Sequence, residues 1–267
     1  MNTTAPYPSI AAIGSRIDLL IAGHIDLAFR RIMPGPSVEI APRFIRLITG
    51  EPHPFGNFAC CNHPADPATT SAAIEPLLRC SAPAAVFFTG PVPDPVVKVL
   101  ADSGFERHGG MPTMAIDIDT LAATALPDGH TIERVSDAAQ RDVWAGAFAR
   151  GYELPARVGA AFAGGIDGDH RPDAPVQHFW ILRKGEPVAT SFVYLHEGVA
   201  GIYGVATLPD DRGKGLGAHA TAHPLRIARK LGYRVGVLQA SEVGAPVYTR
   251  IGFSTFGEIP LYVRMPS

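Results

Sequence analysis

The spacing of apolar positions along the chain changes period repeatedly, and each change marks an element. Over residues 10–32, Ile13, Ile17, Leu20, Ile21, Ile25, Ala28 and Ile32 recur at helical spacing, with Arg16, Asp18, Asp26, Arg30 and Arg31 mostly off that stripe. Met33-Pro34-Gly35-Pro36 ends the helix. Residues 44–49 and 55–61 read as strands around the turn Glu51-Pro52-His53-Pro54, and residues 67–78 as a helix with Pro67 at its start, where proline is favoured. A buried strand at 84–89, a helix at 93–103 ended by Gly104, and a strand at 111–118 complete the first half.

The second half repeats this alternation. A strand at 131–135 precedes a helix at 137–149 with Ser136 or Asp137 as its N-cap, and a short helix follows at 158–163. A loop at 164–175 carries Asp167, Asp169 and His170, and strands at 177–183 and 188–196 form a hairpin over Lys184-Gly185-Glu186. A strand from Gly201 to Leu208 breaks at Pro209-Asp210-Asp211 into Arg212-Gly213-Lys214-Gly215-Leu216-Gly217, and a helix then runs to about Leu231 and stops at Gly232. A strand at 234–239, a short helix at 245–250 and a final strand or hairpin at 256–265 close the chain. Pro224 lies inside the long helix and predicts a kink near His223 or a split there.

Composition narrows the class. The chain has 267 residues, 46% hydrophobic and 18% charged, enough for a sizeable core and for two domains at the usual size. A net charge of −2 gives no basic surface for nucleic acid or an anionic membrane. Cys60, Cys61 and Cys80 form no C-x-x-C and read as buried or free thiols in a reducing compartment. No basic region followed by an apolar run opens the chain, so the cytosol is the expected location.

The glycine-rich segment carries the candidate chemistry. A strand, a glycine loop and a helix N-terminus together present unpaired N–H groups and the positive end of the helix dipole to an anion, and Arg212 and Lys214 add charge. The loop is neither G-x-x-x-x-G-K-[ST] nor G-x-G-x-x-G, which excludes the common nucleotide signatures. A plain strand-to-helix turn is the structural alternative. His219 and His223 are four apart but lack the Glu of H-E-x-x-H and a third ligand, and Asp167-x-Asp169 lacks the other Ca²⁺-loop ligands, so no metal is expected. No G-x-S-x-G occurs, so a serine hydrolase is not suggested.

The R-x-x-G-x-G pattern of Arg212 to Gly217, with Val237-Leu238-Gln239-Ala240-Ser241 and Tyr248-Thr249-Arg250-Ile251-Gly252-Phe253 downstream, resembles the GNAT superfamily of N-acetyltransferases. The resemblance covers roughly the last half of the chain. It implies a mixed, mostly antiparallel α/β sheet flanked by helices, with acetyl-CoA as co-substrate. It places the pyrophosphate on Arg212, Gly213, Lys214, Gly215, Leu216, Gly217 and Ala218, and the pantetheine arm on backbone groups of Val205, Ala206 and Thr207. It makes Tyr248 the general acid that protonates the CoA sulfur, and gives Ser241 either a cofactor contact or a helix cap. The general base stays open between Glu153, Glu197 and a water-mediated route.

The first half runs through the same element order, and Leu100-x3-Gly104-Phe105 echoes Tyr248-x3-Gly252-Phe253. This predicts a tandem arrangement: a degenerate copy at residues 1–125 and the catalytic domain at 126–267. The copy has Asn62-His63-Pro64-Ala65-Asp66-Pro67 in place of the glycine loop and Leu100 in place of the tyrosine, so acetyl-CoA is not expected there. An unrelated α/β cap is the alternative. The expected activity is acetylation of an amine, of a small molecule in the first instance or of a protein, by a monomer or homodimer. A non-catalytic acyl-CoA-binding module and a binder of another phosphate ligand are the rivals.

Overall fold

The computed structural model describes residues 9–164, 166 and 169–266; Asp167 lies outside the described residues. In chain order the first half contains α1 (Ile10–Ile13), α2 (Ile17–Ile32), β1 (Val38–Ile40), β2 (Phe44–Ile48), β3 (Asn57–Cys61), α3 (Pro67–Leu78), β4 (Ala84–Phe88), α4 (Asp94–Asp102) and β5 (Glu106–Asp117). The second half contains β6 (His130–Val135), α5 (Ala138–Tyr152), α6 (Ala156–Phe162), β7 (Val176–Arg183), β8 (Glu186–His196), β9 (Val199–Thr207), α7 (Leu216–Lys230), β10 (Val235–Gln239), α8 (Ala245–Arg250) and β11 (Ser254–Arg264). Among the described residues, no helix is long and apolar enough to cross a membrane.

All eleven strands form one sheet in the order β1-β2-β3-β4-β11-β5-β10-β9-β8-β7-β6. Neighbours are antiparallel except β3–β4 and β9–β10, each joined through a helix, as a parallel crossover requires. The two halves exchange their last strands. β5 pairs with β10, and β11 lies between β4 and β5. The first half therefore supplies an inner neighbour to the second half's β10, and the second half supplies one to β4.

The helices split by face. On one side α2, α5 and α6 cover a core that both halves share, joining Phe29, Phe58 and Phe87 to Trp144, Phe148, Phe162 and Phe192. On the other, α3 and α4 cover a core of the first half, and α7 and α8 a separate core of the second. α2 lies across β5, β9, β10 and β11, so a first-half helix roofs second-half strands.

The halves share small devices. Phe105 N–H donates to Leu100 O at 2.9 Å and Phe253 N–H to Tyr248 O at 3.1 Å, across Gly104 and Gly252 with φ of 77° and 110°. These are matching helix ends in which glycine takes the left-handed turn. Each half also has a proline inside its long helix, Pro76 in α3 and Pro224 in α7. Proline leaves the carbonyl four residues back without its N–H partner. Arg46 on β2 donates to Ala72 O and Ala73 O at 2.9 Å, and Ser191 on β8 donates to Ala220 O at 2.8 Å. Ala72 O and Ala220 O are the two carbonyls that the prolines free, and each is satisfied from the sheet below. α7 accordingly runs through Pro224 without the expected split.

Candidate active site

The strand β9 changes character at Gly204. Between Phe192↔Tyr203 and Thr190↔Ala206 it advances three residues against two on β8, which is a β-bulge. Gly204 sits there at φ 60°, and its carbonyl is held by the Thr190 hydroxyl at 2.9 Å. A Cβ at this glycine would lie 3.0 Å from the Phe192 ring, so both space and dihedral select glycine. An isolated glycine inside a strand was the sequence signal for this bulge.

The bulge coincides with a parting of strands. β9 pairs with β10 only over Val199–Gly201, while β10 continues along β5 to Gln239↔Thr113. From residue 202 to 207, β9 has β8 as its one strand partner. A gap therefore opens between β9 and β10 toward their C-terminal ends, edged by main-chain groups of Val205, Ala206 and Thr207. Ala206 faces α5, where Gly151 would bring a Cβ to 2.7 Å from the Ala206 methyl. Val205 and Thr207 face α7, within about 4 Å of a Cβ built at Gly217.

The gap leads to the N-terminus of α7. Gly213 and Gly215 have φ of 77° and 79°, with nothing within 4 Å of a Cβ at either, so their left-handed conformation opens onto solvent. Gly215 is the N-cap and no side chain caps the helix. The first-turn amides are thus left without a partner from the chain, in the place where a helix attracts anions. Leu216 is 1% exposed and packs with Ile181 and Val188, so it offers only its N–H; Gly217 and Ala218 are half-buried beside it.

The two loop cations are less free than their sequence position implied. Arg212 pairs with Glu153 at 2.8 Å and also donates to Gly151 O, and Lys214 pairs with Asp211 at 2.8 Å. Asp211 also takes Arg183 at 3.1 Å. Arg212 and Lys214 remain half-exposed; the exposed Arg212–Glu153 pair is of a kind that contributes only about 0–1 kcal/mol, whereas the partner of Lys214, Asp211, is 2% exposed. Arg212 can turn to a diphosphate at little cost, while turning Lys214 leaves the buried Asp211 carboxylate to Arg183 alone. The same pairing ties Glu153, one expected candidate base, to the loop.

Tyr248 is buried on the α7 face with Ile202, Leu225 and Phe253, in the core that Val205 borders. Burial pushes its phenol up to about 12, and a hydrogen bond with Thr221 works the other way. Tyr152, at the end of α5 and 46% exposed, lies within Coulombic reach of Tyr248. Ser241 accepts the Gly244 N–H at 3.1 Å and so caps the turn into α8. Gly244 lies against both, 3.1 Å from Ser241 Oγ and 3.3 Å from the Tyr248 ring when a Cβ is built on it.

Glu197 stands apart at the tip of the β8–β9 hairpin, its side chain 86% exposed. His219 bonds Thr124 at 3.1 Å, and burial lowers both it and His223, the latter to about 4. Among the described residues no group of three His, Cys, Asp or Glu side chains is arranged to hold a metal. Sequence reading missed Gly151, Gly204 and a buried pair joining the halves, His24 Nδ1 and the Tyr203 hydroxyl at 2.7 Å.

Comparison with known proteins meets this geometry at the same residues. Residues 148–253 match the acetyltransferase (GNAT) family. No curated protein matches the chain. A GCN5-related N-acetyltransferase from Kribbella flavida is similar in structure, with a TM-score of 0.61 and 21% identity over 94% of this chain and 96% of that one. One from Sphaerobacter thermophilus has a TM-score of 0.60 and 14% identity over 97% and 94%. A tandem GNAT protein from the clavulanic acid biosynthesis pathway has a TM-score of 0.55 and 14% identity, covering 94% of each chain. At such identities the likeness is one of fold, and it extends over both halves. The segment that matches the acetyltransferase (GNAT) family, 148–253, is the one that holds the bulge, the parted strands, the glycine loop and Tyr248.

Proposed function

We propose that the protein transfers the acetyl group of acetyl-CoA to the amine of a small molecule, with Tyr248 as general acid. The observation that carries this reading is the parting of β9 from β10 where it runs into an uncapped helix N-terminus. The N–H groups from residue 213 to 218 are suited to a diphosphate, and the open edge of β9 to an amide-bearing arm lying between the strands. Main-chain N–H groups at Val205 or Ala206 are suited to the thioester oxygen, where negative charge develops during attack.

The departing thiolate needs a proton. A phenol near 12 is protonated throughout the physiological range, and so it serves as a donor rather than a base. Tyr248→Phe removes the proton and keeps the ring. The expected outcome is a fall of about 10²-fold or more in CoA release with acetyl-CoA affinity unchanged. Unchanged turnover in Tyr248→Phe would remove the general-acid role. The raised phenol also fixes a pH expectation: Tyr248 loses its proton only as pH rises through about 12, so the rate shows no falling limb from this group below pH 10.

A further inference from the structure

The helix α2 buries two polar side chains that the acyl site leaves unused, and the sequence pattern had placed one of them, Asp26, off the apolar stripe. His24 is 3% exposed and Asp26 5%. Each is half satisfied: His24 Nδ1 meets the Tyr203 hydroxyl at 2.7 Å, and Asp26 Oδ2 accepts from Arg30 at 2.7 Å and from Asn62 Nδ2 at 3.2 Å. His24 Nε2, Asp26 Oδ1 and Asn62 Oδ1 are buried with no hydrogen bond. Buried polar atoms without a partner are uncommon because each costs about 1–3 kcal/mol. Three of them belong to side chains that line a single cleft of about 460 Å³.

The cleft is built by both halves. Leu19, Leu20, Gly23 and Leu27 of α2 form one wall, Asn62, His63 and Thr89 a second, and His196, Glu197 and Val199 a third. It lies past the end of β9 where that strand is still joined to β10, and His24 links it through Tyr203 to the bulge. Its volume is that of a small-molecule site.

We propose that this cleft binds the acceptor, a small organic cation that presents an ammonium group to Asp26, Asn62 and Glu197 and an aliphatic or aromatic flank to the leucines of α2. The proposal rests on the acetyltransferase reading for the word acceptor. The leftover atoms set the chemistry. Asn62 commits its nitrogen to Asp26, so its free atom is the oxygen, and Asp26 Oδ1 is a second acceptor. Glu197 adds a third at the mouth. The carboxylates among the lining residues are Asp26 and Glu197, and the lining holds no lysine or arginine. Arg30, outside the lining, engages Asp26 through Nε and Ala41 O through Nη1 at 2.6 Å, while its Nη2 is a buried donor without a hydrogen bond. Burial and nearby His196 lower His24 to about 3, so its ring adds no positive charge near neutral pH. A donor-rich cation meets complementary groups here and a carboxylate meets like charge.

The test is thermal unfolding of the full chain with benzylamine and 1,4-diaminobutane at millimolar concentration, with benzyl alcohol and benzoate as controls. The same series is run on Asp26→Asn and Glu197→Gln, and acetyl-CoA is titrated separately. The amines should raise Tm and the controls should not. Glu197 is exposed, so its variant folds even if Asp26→Asn does not. Glu197→Gln should reduce the amine shift at least threefold and raise the amine KM by a similar factor with kcat retained, leaving the acetyl-CoA shift unchanged. Amine shifts equal in wild type and Glu197→Gln, an equal response to benzoate, or no shift with either amine would overturn the cleft assignment. If acetyl-CoA still binds in that case, the acetyltransferase reading stands without it. If the amines shift Tm through Glu197 but acetyl-CoA does not bind, the amine site stands and its acceptor role falls.

Discussion

The two halves of the chain meet the same junction, parallel strands joined through a helix, and treat it oppositely. In the first half β3 and β4 pair from Phe58↔Ala85 to Cys61↔Phe88, and Thr89 N–H extends the ladder to Cys61 O at 3.0 Å. The Thr89 hydroxyl then takes His63 N–H at 2.9 Å, closing the end. At the following helix, the Asp66 carboxylate caps α3, accepting Thr69 N–H at 2.8 Å and the Thr69 hydroxyl at 2.7 Å. Those bonds hold the Asp66 carboxyl below its usual range. The second half has a bulge where the first has continuous pairing, and a bare glycine N-cap where the first has a carboxylate. The difference teaches what the proposed anion site rests on: strands that part, and helix amides left without a partner from the chain. A chain that satisfies its own helix end has no amide left for a ligand.

Several substitutions can break that contrast. The largest effect is expected from Gly215→Asp, which sets a carboxylate at the start of α7 in place of the bare glycine. A carboxylate there should compete with the diphosphate and weaken acetyl-CoA binding by ~10²-fold or more in calorimetry, with the fold kept, because the site is open and Asp is among the residues that tolerate left-handed φ. Affinity within a few-fold of wild type would show that the amides of α7 do not grip the ligand.

Next in size are the two carbonyls that proline frees. Ser191→Ala should cost about 1–3 kcal/mol in denaturant unfolding, since Ala220 O is then buried without a donor. Adding Pro224→Ala returns a backbone N–H to that carbonyl and should recover part of the loss, whereas the two changes adding independently would remove the explanation. The smallest effect is expected from Asp66→Ala. Losing that cap should lower stability slightly and, with the coenzyme held by the second half as proposed, leave acetyl transfer unchanged. A change in acetyl-CoA affinity would bring α3 into the site.

Much of this was legible in the sequence for a physical reason: helices, strands and the glycine loop are local patterns. The 3.6-residue stripe of α2, the hairpin at Lys184-Gly185 and the loop at Arg212 to Gly217 are each read within a short window, as are the matching helix ends at Gly104-Phe105 and Gly252-Phe253. β1 has only three residues, exposed or half-exposed, and left no periodic signal. What stayed hidden depends on partners far along the chain. Pro224 predicted a kink or a split because Ser191, 29 residues from Ala220, could not be seen to satisfy the freed carbonyl. Asp26 looked solvated because Asn62 was not known to lie beside it. Arg212 and Lys214 looked free because Glu153 and Asp211 were not known to pair with them. The exchange of β5 and β11 is the extreme case, since strand order in a sheet is set by packing across both halves.

The most direct measurement is a crystal structure of the full chain soaked with acetyl-CoA. The account predicts one molecule per chain, its diphosphate over Gly213 to Gly217 and its arm between β9 and β10, with β3 and β4 still paired to Thr89. Density between β3 and β4, or a diphosphate bound away from the start of α7, would contradict it.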